Sequence, residues 1–196
     1  WLQTKGPETA APLAEFLAEG SCNEPRSSKA NPGLWLSLPE FGLRMPFSPV
    51  DFTQVNFAIN RRLVHKAVQL LDAQPDDRLV DFFCGLGNFS FALARQAAHV
   101  LGIEGSQPLV AKAQANAALL KLAEKTSFQV SNLFELDQGW LEGLGRIDRA
   151  LIDPPREGAR ALSQALAEQS LEGCGPQRLV MVSCNPATLA RDAAIL

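Results

Sequence analysis

The rhythm of apolar and polar positions changes near residue 57. Ahead of it, short apolar runs sit among turn formers. Leu34-Trp35-Leu36 and Phe41 to Met45 flank Pro39, and Gly20 to Gly33 is rich in Gly, Pro and Ser. This predicts short strands or a hairpin, with a loop around Asn23–Pro32. From Phe57 onward, Phe57, Leu63, Val64, Ala67, Val68, Leu70 and Leu71 recur at helical spacing. Pro75-Asp76-Asp77 reads as a turn. Beyond it, buried strands are predicted over Arg78–Phe83, His99–Ile103, Ser127–Val130, Arg149–Ile152 and Arg178–Val182. Helices are predicted over Phe89–Ala98, Pro108–Leu122 and Ala159–Leu171, with a loop or short helix after Val130 and one more helix after Val182. Alternating strands and helices imply right-handed crossovers and an α/β fold, a parallel sheet with helices on both faces. The pattern divides the chain into a β-containing segment, 1–47, and a larger α/β unit, 48–196.

Leu179-Val180-Met181-Val182 is apolar on both faces, as a central strand should be. Only one helix follows it. The natural protein is therefore expected to continue past Leu196 and to cover this edge. The opening at Trp1 likewise reads as a cut piece.

Composition narrows the class. The 196 residues are 46% hydrophobic and 20% charged, typical of a globular domain with its own core. No stretch approaches the roughly 18 apolar residues a membrane span needs. The four cysteines, Cys22, Cys84, Cys174 and Cys184, show neither C-x-x-C nor zinc-ligand spacing. Reduced thiols in a cytoplasmic protein are the expectation. Cys22, Cys84 and Cys174 are expected to act as small buried hydrophobes. A net charge of −3 argues against a dedicated nucleic-acid binder. The one basic cluster, Arg61-Arg62 with His65-Lys66, reads as a solvated helix face.

Four motifs fall at predicted strand ends, where open α/β sheets bind ligands. The first is Asp81-Phe82-Phe83-Cys84-Gly85-Leu86-Gly87-Asn88-Phe89. Gly85 and Gly87 allow a tight turn close to a ligand. A dinucleotide fingerprint would need a third glycine at Ser90. Asp81 at the strand end suits a cationic or hydroxyl-bearing ligand, such as the amino-acid part of S-adenosylmethionine. The second motif is Glu104, about 20 residues further on, where an acid can bind both ribose hydroxyls of an adenosine cofactor. A nicotinamide cofactor would satisfy Glu104 equally.

The third motif is Asp153-Pro154-Pro155-Arg156. Two prolines fix two φ angles and give a rigid turn that holds Asp153 at the ligand edge. Amino-group methyltransferases of nucleic acids place an aromatic residue after such a turn, and Arg156 stands there instead. The fourth is Ser183-Cys184-Asn185-Pro186-Ala187-Thr188-Leu189-Ala190-Arg191-Asp192. Cys184 follows a strand and precedes a helix whose first residue would be Pro186. A thiol at a helix N-terminus gains thiolate character. Carbon 5 of uracil is a poor nucleophile. A thiolate adding to carbon 6 turns it into an enolate-like carbon able to attack a methyl sulfonium.

At these residues the chain resembles the RNA uracil-5 methyltransferase family, most closely its bacterial 23S ribosomal RNA members. The resemblance runs from about Phe47 to Leu196 and includes Phe52-Thr53-Gln54-Val55-Asn56. It implies a Rossmann-like methyltransferase fold, S-adenosyl-L-methionine as cofactor and 23S ribosomal RNA as partner. It implies cofactor contacts at Gln54, Phe83, Asn88, Glu104, Asn132 and Asp153, and a covalent adduct on Cys184. The family's general base is a glutamate downstream of the nucleophile, expected past Leu196. Many members also carry an RNA-binding β-barrel and a four-cysteine 4Fe-4S site; neither motif occurs in this sequence, and both are expected only upstream. This piece alone is expected to bind cofactor weakly and to turn over little substrate. Competing readings are a methyltransferase for another RNA position or a protein side chain, a non-catalytic binding module, and a nicotinamide dehydrogenase.

Overall fold

The computed structural model describes residues 34–54, 56–136 and 139–196. The predicted loop over Asn23–Pro32, and Cys22, lie outside these residues.

The first described element is a hairpin. Strands β1 (Leu34–Leu38) and β2 (Leu43–Phe47) pair antiparallel, with Leu36 opposite Met45. A single 3-10 turn over Pro39–Phe41 joins them, and Gly42 closes it at φ 63°. Alternation sends Leu36, Leu38, Leu43 and Met45 inward, where they pack with Val64, Ala67, Val68 and Leu71. On the outer face the Arg44 guanidinium lies 4.4 Å from the centre of the Trp35 ring.

Helix α1 (Phe57–Leu71) presents those four residues at 3-4 spacing, as its periodicity predicts. Asn56 caps it, its Oδ1 accepting from the Ile59 N–H at 3.1 Å. Arg61, Arg62, His65 and Lys66 are exposed, as a solvated face should be. Arg61 donates to both carboxylate oxygens of Glu40.

Five strands form the main sheet: β3 (Arg78–Phe82), β4 (His99–Glu104), β5 (Thr126–Val130), β6 (Arg149–Ile152) and β7 (Arg178–Met181). They run parallel in the order β5-β4-β3-β6-β7. Helices α2 (Ser90–Leu93), α3 (Gln107–Leu119), α4 (Arg160–Leu171) and α5 (Pro186–Ile195) complete the fold. Successive strand residues enter different cores. Leu79, Val100, Phe128 and Leu151 face one core, with α1, α2 and α3. Val80, Phe82, Ile103, Ala150 and Ile152 face the other, with Leu162 and Leu166 of α4. Burial on both faces explains the apolar strand sequences. Strand order reverses between β3 and β6, so their carboxyl ends open the crevice where such sheets bind ligands.

The opposite edge of the sheet is closed by charge. Arg149, opening β6, pairs with Asp77 and donates to the Leu71 carbonyl at 2.9 Å. Asp148 accepts from the Arg78 N–H at 2.7 Å. These pairs hold strand starts together and lie away from the ligand edge.

Two helices are shorter than predicted. Phe89–Ala98 contains an α-helix only over Ser90–Leu93. Its end tightens, Gln96 N–H bonding Leu93 O, and Ala98 N–H is drawn off to Asp77 O. The helix predicted to Leu122 ends at Leu119. Lys121 takes φ 57°, and Leu122 N–H bonds back to Ala117 O, as at a helix end. Cys174 is exposed, not buried. It sits in the turn after α4, where Gly173 at φ 77° swings the chain outward.

Candidate active site

A cavity of about 570 Å³ opens at the carboxyl ends of β3, β4 and β6. Gln54, Phe83, Asn88, Glu104, Asn132, Asp153 and Cys184 all line it. Its size suits a small-molecule ligand.

The loop after β3 builds the floor. Phe83 adopts φ 65°, a left-handed conformation that costs a bulky residue about 1–2 kcal/mol. Its ring lies 5.5 Å from that of Phe134, forming an aromatic wall. Gly85 and Gly87 also take positive φ, at 54° and 91°. Gly85 lines the cavity. Gly87 is not among the lining residues; a Cβ there would strike the Phe91 ring. Its role is the turn and the packing of Phe91 beneath it.

Asp81 does not line the cavity either. Its side chain is fully buried behind the loop, with Oδ2 accepting from Ser90 Oγ at 2.5 Å. Oδ1 has no hydrogen-bond partner among the described residues. Burial pushes its pKa up to about 7, and Asp153 and Glu104 add repulsion. So Asp81 anchors the loop to α2 and lends field, not contact. Cys84 is buried, as expected, and burial pushes its thiol up, away from reactivity.

Glu104 is held rigidly. Oε2 accepts from the Gly85 N–H at 3.1 Å and Oε1 from the Ser106 N–H at 3.0 Å. Each oxygen keeps a lone pair for a ligand. Asn132 lies at the exposed rim, its Oδ1 accepting from the Phe134 N–H at 3.1 Å. Asp51 ties down the segment carrying Phe52 and Gln54: it accepts from its own Ser48 N–H at 2.7 Å and pairs with Lys112 of α3. Asp153 follows β6, and burial pushes its pKa up to about 6.

Cys184 sits exposed just before α5. Ser183 Oγ brackets it, accepting from the Asn185 N–H and donating to the Asn185 carbonyl, both at 3.1 Å. Asn185 caps α5 through the Ala187 N–H at 3.0 Å, and Pro186 opens the helix as its sequence predicts. The same helix clasps the Pro-Pro turn. Asn185 Nδ2 and Thr188 Oγ1 both donate to the Arg156 carbonyl, at 3.1 and 3.2 Å. Arg191 donates to the Glu157 carbonyl at 2.9 Å. Asp192, 1% exposed, accepts from the Ala159 N–H at 2.7 Å. Gly158 leaves room for this clasp, since a Cβ would collide with Asp192 and Arg191. The third and fourth motifs are thus two halves of one joint. The sequence offers the polar 185-188-191-192 face as a signal, but not its partner.

Residues 42–196 match the family model for tRNA (uracil-5-)-methyltransferase.

The chain belongs to the tRNA (uracil-5-)-methyltransferase family.

It is 54% identical, over its whole length, to the 23S rRNA (uracil(1939)-C(5))-methyltransferase RlmD of Bordetella bronchiseptica, and covers 39% of that protein. It is likewise 54% identical to the RlmD protein of Cupriavidus pinatubonensis, covering 40% of it. The chain therefore spans about 40% of the length of the curated relatives it matches. Among solved structures, the Pyrococcus abyssi tRNA (uracil-54, C5)-methyltransferase in complex with S-adenosyl-L-homocysteine superposes with TM-score 0.69 at 24% identity, over 89% of this chain and 42% of that one. The magnesium protoporphyrin IX methyltransferase of Synechocystis, with bound SAM, gives 0.52 at 22% identity, over 73% of this chain and 74% of that one. Both likenesses concern the fold: a mostly parallel sheet flanked by helices, the Rossmann-like methyltransferase architecture. No described helix is long and apolar enough to cross a membrane.

Proposed function

We propose that the full-length protein methylates carbon 5 of a uridine in 23S ribosomal RNA, with S-adenosyl-L-methionine as donor and Cys184 as nucleophile. The observation that carries this is the single cavity: Cys184, Glu104, Asn88, Gln54 and Asp153 share it. The division at residues 47 and 48 belongs to the same proposal, with 48–196 as the catalytic unit.

The residues present fit the cofactor. Glu104 and Asp153 bring two carboxyl groups to the cavity lining, with Asp81 buried behind the loop, and favour a cationic ligand. Glu104, with both oxygens held, suits a ribose diol. Gln54, Phe83, Asn88, Asn132 and Asp153 are the further contacts. When bound, S-adenosylmethionine supplies a methyl group on a positively charged sulfur.

The protein's own part is covalent. Cys184 Sγ, as thiolate, adds to carbon 6 of the uracil, and the electron pair moves to carbon 5 and the carbon 4 carbonyl. Carbon 5 takes the methyl group. A base then removes the carbon 5 proton, the carbon 5–carbon 6 double bond reforms, and the thiolate leaves. A downstream glutamate is the base the family resemblance implies. The bracket around Cys184 and the clasp on residues 156–159 keep thiol and cofactor end in register. Exposure of Cys184 lets a base flipped out of RNA reach it. A cytoplasmic location, with ribosomal RNA as partner, follows from this reading.

The test is methylation of unmodified 23S ribosomal RNA by the full-length protein. Cys184→Ala should abolish transfer while binding of S-adenosylmethionine persists. Transfer that survives this change would overturn the thiol route.

A further inference from the structure

The cavity wall contains an amide whose orientation is set from behind. Asn88 lies in the glycine-rich loop and lines the cavity. Asn60 lies on α1, outside the cavity, and is 1% exposed. The two side chains pair reciprocally: Asn60 Nδ2 donates to Asn88 Oδ1 at 3.0 Å, and Asn88 Nδ2 donates to Asn60 Oδ1 at 2.9 Å. A polar side chain at that depth is costly unless its hydrogen bonds are made.

The pairing constrains Asn88 in a specific way. A primary amide has two N–H donors and an oxygen with two lone pairs. The pair consumes one of each, leaving one donor and one lone pair for the cavity. Turning the Asn88 amide over on its own would set oxygen against oxygen and NH2 against NH2. The two amides are therefore coupled, and neither turns over without the other. Asn60 also takes a core position, in the row Asn60, Val64, Ala67, Val68, Leu71, where an apolar residue would pack more simply.

We propose that Asn60 is a positioning residue. It acts through Asn88 to hold a preorganised donor–acceptor pair for the cofactor, and so couples α1 to cofactor affinity. This rests on the reading of the cavity as an S-adenosylmethionine site. No other group in the described structure holds the Asn88 side chain.

The test uses the full-length protein and calorimetric titration with S-adenosylmethionine, at a temperature where every variant is folded by circular dichroism. Asn60→Ala should raise Kd roughly tenfold, about as much as Asn88→Ala. The double variant should bind no worse than either single one, because both changes remove the same arrangement. Asn60→Asp keeps the shape and the acceptor for Asn88 Nδ2 but removes the donor, and should fall between wild type and Asn60→Ala. Should Asn60→Ala not fold, Asn60→Asp and the wild-type protein still decide. In the wild type, the Asn88 side-chain NH2 protons should exchange slowly by NMR. Unchanged Kd in the Asn60 variants with lowered thermal stability would make Asn60 merely structural and overturn the inference. Additive losses, or fast exchange at Asn88 in the wild type, would also overturn it. Failure of the wild type to bind S-adenosylmethionine would instead overturn the reading of the cavity itself.

Discussion

The joint between α5 and the Pro-Pro turn predicts a specific pattern of losses at Asp192. Its Oδ2 accepts from the buried Ala159 N–H at 2.7 Å, and its Oδ1 meets Arg191 Nε at 2.8 Å. Asp192→Ala strands that N–H inside the fold, which costs about 1–3 kcal/mol. The pair with Arg191 adds less, about 0.2–1 kcal/mol, because the arginine side chain is 40% exposed. The expected loss is therefore about 1–4 kcal/mol, a large share of the roughly 5–15 kcal/mol that holds a domain together. Asp192→Asn keeps an acceptor for Ala159 and loses mainly the ion pair, so it should cost about 1 kcal/mol. Equilibrium urea unfolding of the chain, followed by circular dichroism, measures both. Asp192→Ala within 0.5 kcal/mol of wild type would refute the reasoning. Asn as damaging as Ala would show that charge, not the acceptor, does the work.

Further predictions concern the cofactor end. Glu104→Gln must point an NH2 at one of two backbone N–H groups that now meet carboxylate oxygens. Affinity for S-adenosylmethionine should fall roughly 10- to 100-fold by calorimetry, since a hydrogen bond to a charged group contributes about 1.5–3 kcal/mol. Asp153 stays neutral until about pH 6, above the ordinary carboxylate range, and carries its charge only beyond that. A cation binds the ionised form, so Kd for S-adenosylmethionine should fall as pH rises from 5 to 7.5. Titrations in buffers of different ionisation enthalpy should detect proton release near pH 6, and Asp153→Asn should reduce it, leaving only the share of Asp81, which titrates nearer pH 7. The sign for stability is opposite. Folding raises this pKa, so the contribution of Asp153 is most favourable at low pH and is lost as pH rises through about 6.

Much of this site was legible because strand ends mark it. Glu104 and Asp153 each follow an apolar run, and in a parallel sheet such positions share one edge. The Cys-Asn-Pro block was legible for a similar reason: Asn185 and Pro186 are a cap and a first helical residue, which fixes where Cys184 stands. Side-chain direction was harder. Asp81 occupies a strand end like Glu104, yet the positive φ of Phe83 turns the chain just beyond it and leaves Asp81 beneath the loop. The brevity of α2 was hidden because Phe89, Phe91, Ala92, Leu93, Ala94 and Ala97 are all buried, so no helical face stands out. Asn60 left a faint trace, a polar residue in an otherwise apolar row of α1. The exposure of Cys174 depended on how Gly173 turned the chain, and its neighbours in sequence do not specify that.

The central claim is that one cleft offers a cofactor pocket and a nucleophilic sulfur to the same pyrimidine. The most direct measurement incubates the full-length protein with S-adenosylmethionine and 23S ribosomal RNA carrying 5-fluorouridine, whose carbon 5 has no proton to lose. Denaturing electrophoresis followed by peptide mass spectrometry should find RNA linked to Cys184 in the wild type and no linked species in Cys184→Ala. A linkage to a different residue, or one undiminished in Cys184→Ala, would contradict the account.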